Sequence, residues 1–138
     1  MRQRTAGERL RSVPLFASLT KKQLAAVDQL VTRVDVASGR ELTRQGQLGG
    51  ELILVIEGEA EVRKDGKRLA VRGPGTFIGE TALLLNQPRN ATVVAKTDMT
   101  IEVIDRRDFN RLLKDHPALY APLLKATALR LAELRETI

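Results

Sequence analysis

The chain has 138 residues, a formal net charge of +6, one histidine and no cysteine. That length suits a single domain spanning 1–138, and 43% hydrophobic with 29% charged residues is the composition of a globular protein with a real core. The lack of cysteine excludes disulfides, thiolate chemistry and Cys-containing zinc sites, and the lone His116 excludes histidine-rich metal cages, so no metal and no cofactor are expected. No apolar run approaches the ~20 residues of a membrane span, and the opening MRQRTAGERLR lacks the apolar segment of a signal peptide, so the expected location is the cytoplasm.

The positive charge is uneven. Residues 1–44 carry nine Lys/Arg against four Asp/Glu, residues 45–88 five against six, and residues 89–138 nine against seven. The excess near the N-terminus reads as a solvated face. Only four aromatics (Phe16, Phe77, Phe109 and Tyr120) are available for stacking on bases, so a nucleic-acid surface is disfavoured.

In chain order, residues 5–12 suit a short basic helix that Pro14 interrupts. Thr20-Lys21-Lys22-Gln23 is a capping box, with Leu19 and Leu24 in the staple positions, and it predicts a helix to about residue 30. These leading helices occupy residues 1–31. From Val34 to Ile104 the period becomes two. Leu52–Ile56 is a buried strand, Glu59–Arg63 alternates, and Asp65-Gly66 is a tight hairpin turn into Leu69-Ala70-Val71. Met99, Ile101 and Val103 alternate with Thr100 and Glu102. Short strands punctuated by glycines predict an eight-stranded antiparallel β-barrel of jelly-roll type over 32–104, in a mixed α and β fold. Asp105 then caps a helix with Ile104 and Phe109 as staple, and His116-Pro117 ends it and opens the last helix. On that helix Tyr120, Leu124, Ala128 and Leu131 form one stripe, widened by Leu123 and Leu134, which predicts a buried face.

One segment interrupts the strands: Gly75-Thr76-Phe77-Ile78-Gly79-Glu80-Thr81-Ala82-Leu83, then Pro88-Arg89-Asn90-Ala91-Thr92. Thr81–Leu85 suits one or two helical turns, and the first N–H groups of such a helix suit an anion. Gly79 leaves room for close approach to the backbone. Arg89 offers a forked donor that fits a phosphate, while Glu80 can accept from hydroxyls such as those of a ribose. The residues thus describe a sugar-phosphate-like ligand. The alternative, a Glu80–Arg89 pair closing a loop, needs neither the flanking glycines nor the interrupting helix.

These residues resemble the phosphate-binding cassette of cyclic nucleotide-binding domains, here spanning 75–92, as found in kinase A regulatory subunits, the bacterial catabolite activator and cyclic-nucleotide-gated channels. Pro14-Leu15-Phe16, Arg44-Gln45-Gly46 and Val55-Ile56-Glu57-Gly58 extend the resemblance over nearly the whole chain. It implies a small-molecule ligand, cAMP, with cGMP as the other choice. By the resemblance Arg89 pairs with the phosphate, Glu80 accepts from the ribose 2′-hydroxyl, and the N–H groups of Ala82 and Asn90 complete the cradle beside Gly79. Thr81, Ala91 and Thr92 belong to the same ligand-binding set. Hinge and lid helices fill 105–138, with lid candidates Thr127, Arg130, Leu131 and Leu134. Asn90 stands where Ala or Thr commonly follows the arginine, which leaves the base open, and Ile78 replaces the usual Phe.

The function expected is a regulatory receptor domain whose C-terminal helices shift on binding. The alternatives are a sensor fragment of a larger regulator, channel, transporter or enzyme, or a module that binds no ligand. No catalytic constellation is expected, because His116 stands alone between two helices. The chain stops at Ile138 without a DNA-binding element, so the effector is expected to be separate or missing. The final helix is the expected surface for a homodimer.

Overall fold

The computed structural model describes residues 9–10 and 13–136. Most of the basic helix expected over 5–12 lies outside the described residues; Arg9 and Leu10 are helical. A 3₁₀ turn at Pro14–Phe16 leads into α1 (Lys21–Asp28). Thr20 accepts from the Gln23 backbone and the Gln23 side chain accepts from the Thr20 backbone, completing the capping box.

Eight strands follow: β1 (Thr32–Val36), β2 (Glu41–Thr43), β3 (Glu51–Glu57), β4 (Ala60–Lys64), β5 (Lys67–Arg72), β6 (Phe77–Ile78), β7 (Thr92–Ala95) and β8 (Met99–Asp105). They pair antiparallel in two four-stranded sheets, ordered β1-β8-β3-β6 and β2-β7-β4-β5. Among the described residues no ladder joins the sheets, so the expected barrel is not closed by hydrogen bonds. Its edges include strands of only two and three residues, β6 and β2, too short to continue a ladder from one sheet into the other. Asp65 and Gly66 link β4 to β5 with φ of +52° and +80°, the positive pair that a type I′ hairpin turn requires.

Strand β3 is buried from Leu52 through Ile56 because it serves two cores. Ile53 and Val55 face Val62, Ile78, Val93 and Ile101 between the sheets. Leu52, Leu54 and Ile56 face the helices, against Phe16, Leu24, Phe109 and Leu123. Period-two geometry sends alternate side chains to opposite faces, so one apolar run fills both layers.

Helices α2 (Glu80–Leu84), α3 (Arg106–Asp115) and α4 (Tyr120–Glu136) complete the fold, with a 3₁₀ turn at Pro117–Leu119 between the last two. Asp105 caps α3 by accepting from the Asp108 N–H at 2.8 Å, and Ile104 and Phe109 are fully enclosed as its staple. His116 ends α3 through its backbone, donating to Leu112 at 2.9 Å. A second anchor lies at the front of the chain. Glu102 on β8 is buried and accepts from Arg9 at 2.5 Å, while the same guanidinium reaches Asp28 of α1. Among the described residues the other carboxylate oxygen of Glu102 has no hydrogen-bond partner.

On α4 the expected face divides: Leu123 is buried and Leu134 half-buried as expected, but the rest of the stripe is not. Tyr120, Leu124, Ala128 and Leu131 are exposed, and the helix seats itself through Leu123 and Thr127, with Leu119 just before it. Apolar residues occur on two sides of this helix, so periodicity alone does not choose between them; contact with α2 and the helix-side core does. Leu123→Ala should therefore lower stability by about 2–5 kcal/mol. Leu124→Ala should stay within about 0.5 kcal/mol of the parent. Urea unfolding of both variants checks this, and equal losses would restore the expected stripe.

Candidate functional site

Strand β6 pairs with the middle of β3 at Ile53↔Ile78 and Leu54↔Phe77, and the chain then turns sharply. Gly79 makes the turn at φ +94°, a left-handed conformation that side chains disfavour. Helix α2 begins at once with Glu80. It ends at Leu85-Asn86, where Asn86 takes φ +52° and Gln87 donates back to Ala82 at 3.1 Å, a Schellman closure. The cassette helix is thus bounded at both ends by local chemistry.

Arg89 is held on all sides. Its backbone N–H donates to Gln47 and its carbonyl accepts from Gly46, both at 2.8 Å, tying it to the loop between β2 and β3. Its guanidinium donates to the carbonyls of Gly79 at 3.2 Å and of Glu51 at 3.0 Å. Two glycines make room for it. A Cβ on Gly79 would come within 2.3 Å of Nη1, and one on Gly49 within 1.8 Å of Nε. Burial lowers the affinity of this guanidinium for its proton below the ordinary value; Arg106 pushes the same way, against Glu51 and Glu80. Among the described residues Arg89 forms no ion pair. A half-buried cation whose hydrogen bonds end on neutral carbonyls is an electrostatic site for an anion.

Glu80 is 1% exposed and already has a charged partner. Arg130 of α4 donates to its Oε2 and to the Phe77 carbonyl, and lies 4.9 Å from the centre of the Phe77 ring. Thr81 donates to the other oxygen, Oε1, at 3.3 Å. A carboxylate has about four lone-pair directions, so Glu80 can keep Arg130 and still accept from a ligand hydroxyl. The sequence-level alternative, a Glu80–Arg89 pair, is not formed.

A cleft of about 550 Å³, its open mouth included, runs between the second sheet, α2 and α4. Gly79, Glu80, Thr81, Ala82, Arg89, Asn90 and Ala91 all line it. Thr92 does not; its hydroxyl accepts from the Gln45 N–H at 3.0 Å and so braces the loop that grips Arg89. Of the lid candidates, Arg130 and Leu134 reach the cleft. Thr127 is buried one turn earlier, its hydroxyl without a hydrogen-bond partner among the described residues, and Leu131 is exposed.

Several contributors escape sequence reasoning. Arg72 and Glu133 line the cleft and pair with each other at 2.9 Å. Arg72 follows three apolar residues in β5 and reads as a charge that ends the strand. Its cross-strand partner is buried Ala60, and only that register turns it inward. Glu133 lies three residues beyond Arg130, a helical spacing that puts both on one face. Gly49 reads as turn punctuation, yet what it provides is space.

Gly49→Ala should cost about 1–3 kcal/mol by crowding Arg89. In an Arg89→Ala background most of that cost should vanish, giving a coupling of about 0.5–3 kcal/mol. A double-mutant cycle by chemical denaturation measures it. The same loss in both backgrounds would mean that Arg89 is not what Gly49 accommodates.

Residues 33–116 match the family model of the cyclic nucleotide-binding domain. The chain is 40% identical over 105 residues to the cAMP-dependent protein kinase regulatory subunit of Schizosaccharomyces pombe, covering 75% of this chain and 26% of that protein. The chain spans between 22% and 32% of the length of the curated relatives it matches. The structure of cAMP-bound PfPKA-R superposes with a TM-score of 0.86 at 26% identity, over 93% of this chain and 44% of that one. A regulatory subunit of a cAMP-independent kinase A from Trypanosoma brucei, as a triple variant with cAMP in its A site, superposes at 0.79 with 26% identity, over 90% of this chain and 46% of that one. The family match takes in every strand but the first residue of β1, the whole cassette and α3. The chain belongs to the cyclic nucleotide-binding domain family.

Proposed function

We propose that residues 1–138 form one regulatory receptor unit for a cyclic nucleotide, with cAMP as the first choice and cGMP as the second. The observation that carries this reading is the half-buried guanidinium of Arg89, with no ion-pair partner among the described residues, in a cleft that the Glu80 carboxylate also lines. The phosphate sits on Arg89 and the first-turn N–H groups of α2, which have no acceptors within the helix. The Asn90 N–H completes the cradle. The ribose 2′-hydroxyl donates to Glu80. The cAMP-bound structures among the similar proteins, PfPKA-R and the Trypanosoma brucei variant, support a cyclic nucleotide as the ligand.

Arg130 connects the ligand to output. It bridges α4 to both the cassette carboxylate and the Phe77 carbonyl, so a ligand that tightens Glu80 and α2 also fixes α4. A ligand moves such an equilibrium only by its difference in affinity for the two helix positions. The reading assigns no catalysis to the chain. The effector is a separate partner or a further part of a longer protein, and the setting is the cytoplasm. Among the described residues no helix is long and apolar enough to cross a membrane. A homodimer through the exposed Tyr120–Leu124–Leu131 side of α4 belongs to the same proposal. Light scattering should give twice the monomer mass for the parent chain and the monomer mass for Leu124→Arg; a monomeric parent removes the dimer.

Titration calorimetry with cAMP and cGMP tests the reading. At about 100 times Kd the ligand should raise stability by about 2.7 kcal/mol. Arg89→Ala should weaken binding by about 1.5–3 kcal/mol, roughly ten- to hundred-fold. No heat and no thermal shift with either nucleotide at millimolar concentration would falsify it.

A further inference from the structure

We propose that the outward face of α3, with two exposed leucines beside its first turn, is a docking surface for an anionic lipid bilayer. This surface lies outside the cleft, and the inference does not rest on the receptor reading.

Helix α3 turns by about 100° per residue. Phe109, Leu112 and Leu113 are buried and define its inward side. Arg107, Arg111 and Lys114 recur at i, i+4 and i+7, so they fall within about 60° of arc on the opposite side. All three are exposed, and they form a cationic row about 10 Å long. Among the described residues none of the three has an ion pair or a side-chain hydrogen bond. Asp108 and Asp115 stand at i−3 and i+4 of Arg111, yet neither pairs with it.

The fold gains nothing from this row. Like charges four residues apart on a helix repel. Arg107 also lies in the first turn, where the helix dipole disfavours a cation. Arg106 makes the contrast, because its guanidinium donates to the Gly49 carbonyl at 2.9 Å and to Asn86 Oδ1 at 3.5 Å. On the second sheet, exposed arginines have carboxylates beside them: Arg44 has Glu41, and Arg63 and Arg68 share Glu61. Charges that break local rules without a structural return mark a place where something else binds.

What adjoins the row selects the partner. Arg106 ties two loops to the first turn of α3, and each carries a solvent-facing leucine next to the residue it holds. Leu48 precedes Gly49 and is 88% exposed, and Leu85 precedes Asn86 and is 43% exposed. Neither segment 45–50 nor segment 85–90 contains a carboxylate. A cationic row beside protruding aliphatic side chains matches an anionic leaflet, with lipid phosphates on the cations and the leucines at the acyl boundary. A protein partner would need a socket shaped to Leu48. A bilayer accepts it without one. Each cation near an anionic leaflet raises affinity roughly fivefold, so the row contributes roughly a hundredfold.

Vesicle flotation tests the proposal, with vesicles of phosphatidylcholine alone and of an equimolar mixture with phosphatidylserine. The parent should float with the mixed vesicles at millimolar lipid and stay in solution with phosphatidylcholine. Combining Arg107→Gln, Arg111→Gln and Lys114→Gln should weaken binding by at least about tenfold. A control combining Lys64→Gln, Lys67→Gln and Arg68→Gln removes the same charge from the β4–β5 hairpin and should change binding by less than about threefold. Leu48→Ser keeps every charge and should weaken binding about fivefold or more. Circular dichroism checks that each variant is folded. Equal losses in the two triple variants would reduce the effect to net charge and overturn the proposal, as would undiminished binding by Leu48→Ser. A parent that stays in solution with both vesicles also overturns it; retention of that parent, but not of the α3 variant, on immobilised polyglutamate would then assign the face to an acidic protein.

Discussion

Strand β3 is the constraint on which the remaining structure depends. Its five enclosed residues supply the inner face of the sandwich and the seat of the helical layer at once. Its first residue contributes the Glu51 carbonyl that holds Arg89, and its centre pairs with β6, which aims the chain into Gly79 and Glu80. A change in β3 is therefore felt on both sides of the sheet and in the cassette. The densely packed interior transmits such a change because it has few voids to absorb it.

The two charged centres of the cleft are held in opposite ways. Arg89 is fixed by backbone bonds, two carbonyls and the room left by two glycines, all belonging to the sheet end of the molecule. Glu80 is fixed by Arg130, which rides on a different helix. One centre is therefore preorganised, and the other depends on where α4 lies. Preorganised donors lose little freedom on binding, which favours capture of an anion before any helix moves. In the proposed receptor the carboxylate then links what has been captured to the position of α4.

Much of this is legible in the residues because local rules and packing agree there. The capping box at Thr20, the Asp65-Gly66 turn, the Asp105 cap and the cassette spacing each carry their own chemistry, and the chain folds accordingly. The failures share a cause. Which side of α4 is buried, whether eight strands close into a barrel, and where Arg72 points all depend on partners distant in sequence. Helix α4 offers apolar residues on both sides, and β5 has no clean alternation near Arg72, so neither pattern contains the answer. Thr92 reads as part of the ligand set because it ends the motif; in the structure it lies outside the cleft lining and its hydroxyl accepts from the Gln45 backbone.

Glu102 gives the front of the chain a structural duty. This carboxylate is enclosed on β8, and the partners that make it tolerable are Arg9 and, through Arg9, Asp28. Removing one member of a buried ion pair costs about 3–5 kcal/mol, a large share of the stability of a small domain. The residues ahead of the first turn are thus more than a leader to the fold. A shortened version that begins at Val13 would keep the whole cleft, yet it would lose Leu10 from the helix-side core and carry a stranded charge beneath the sheet. Where such a protein is trimmed, the cut belongs before Arg9.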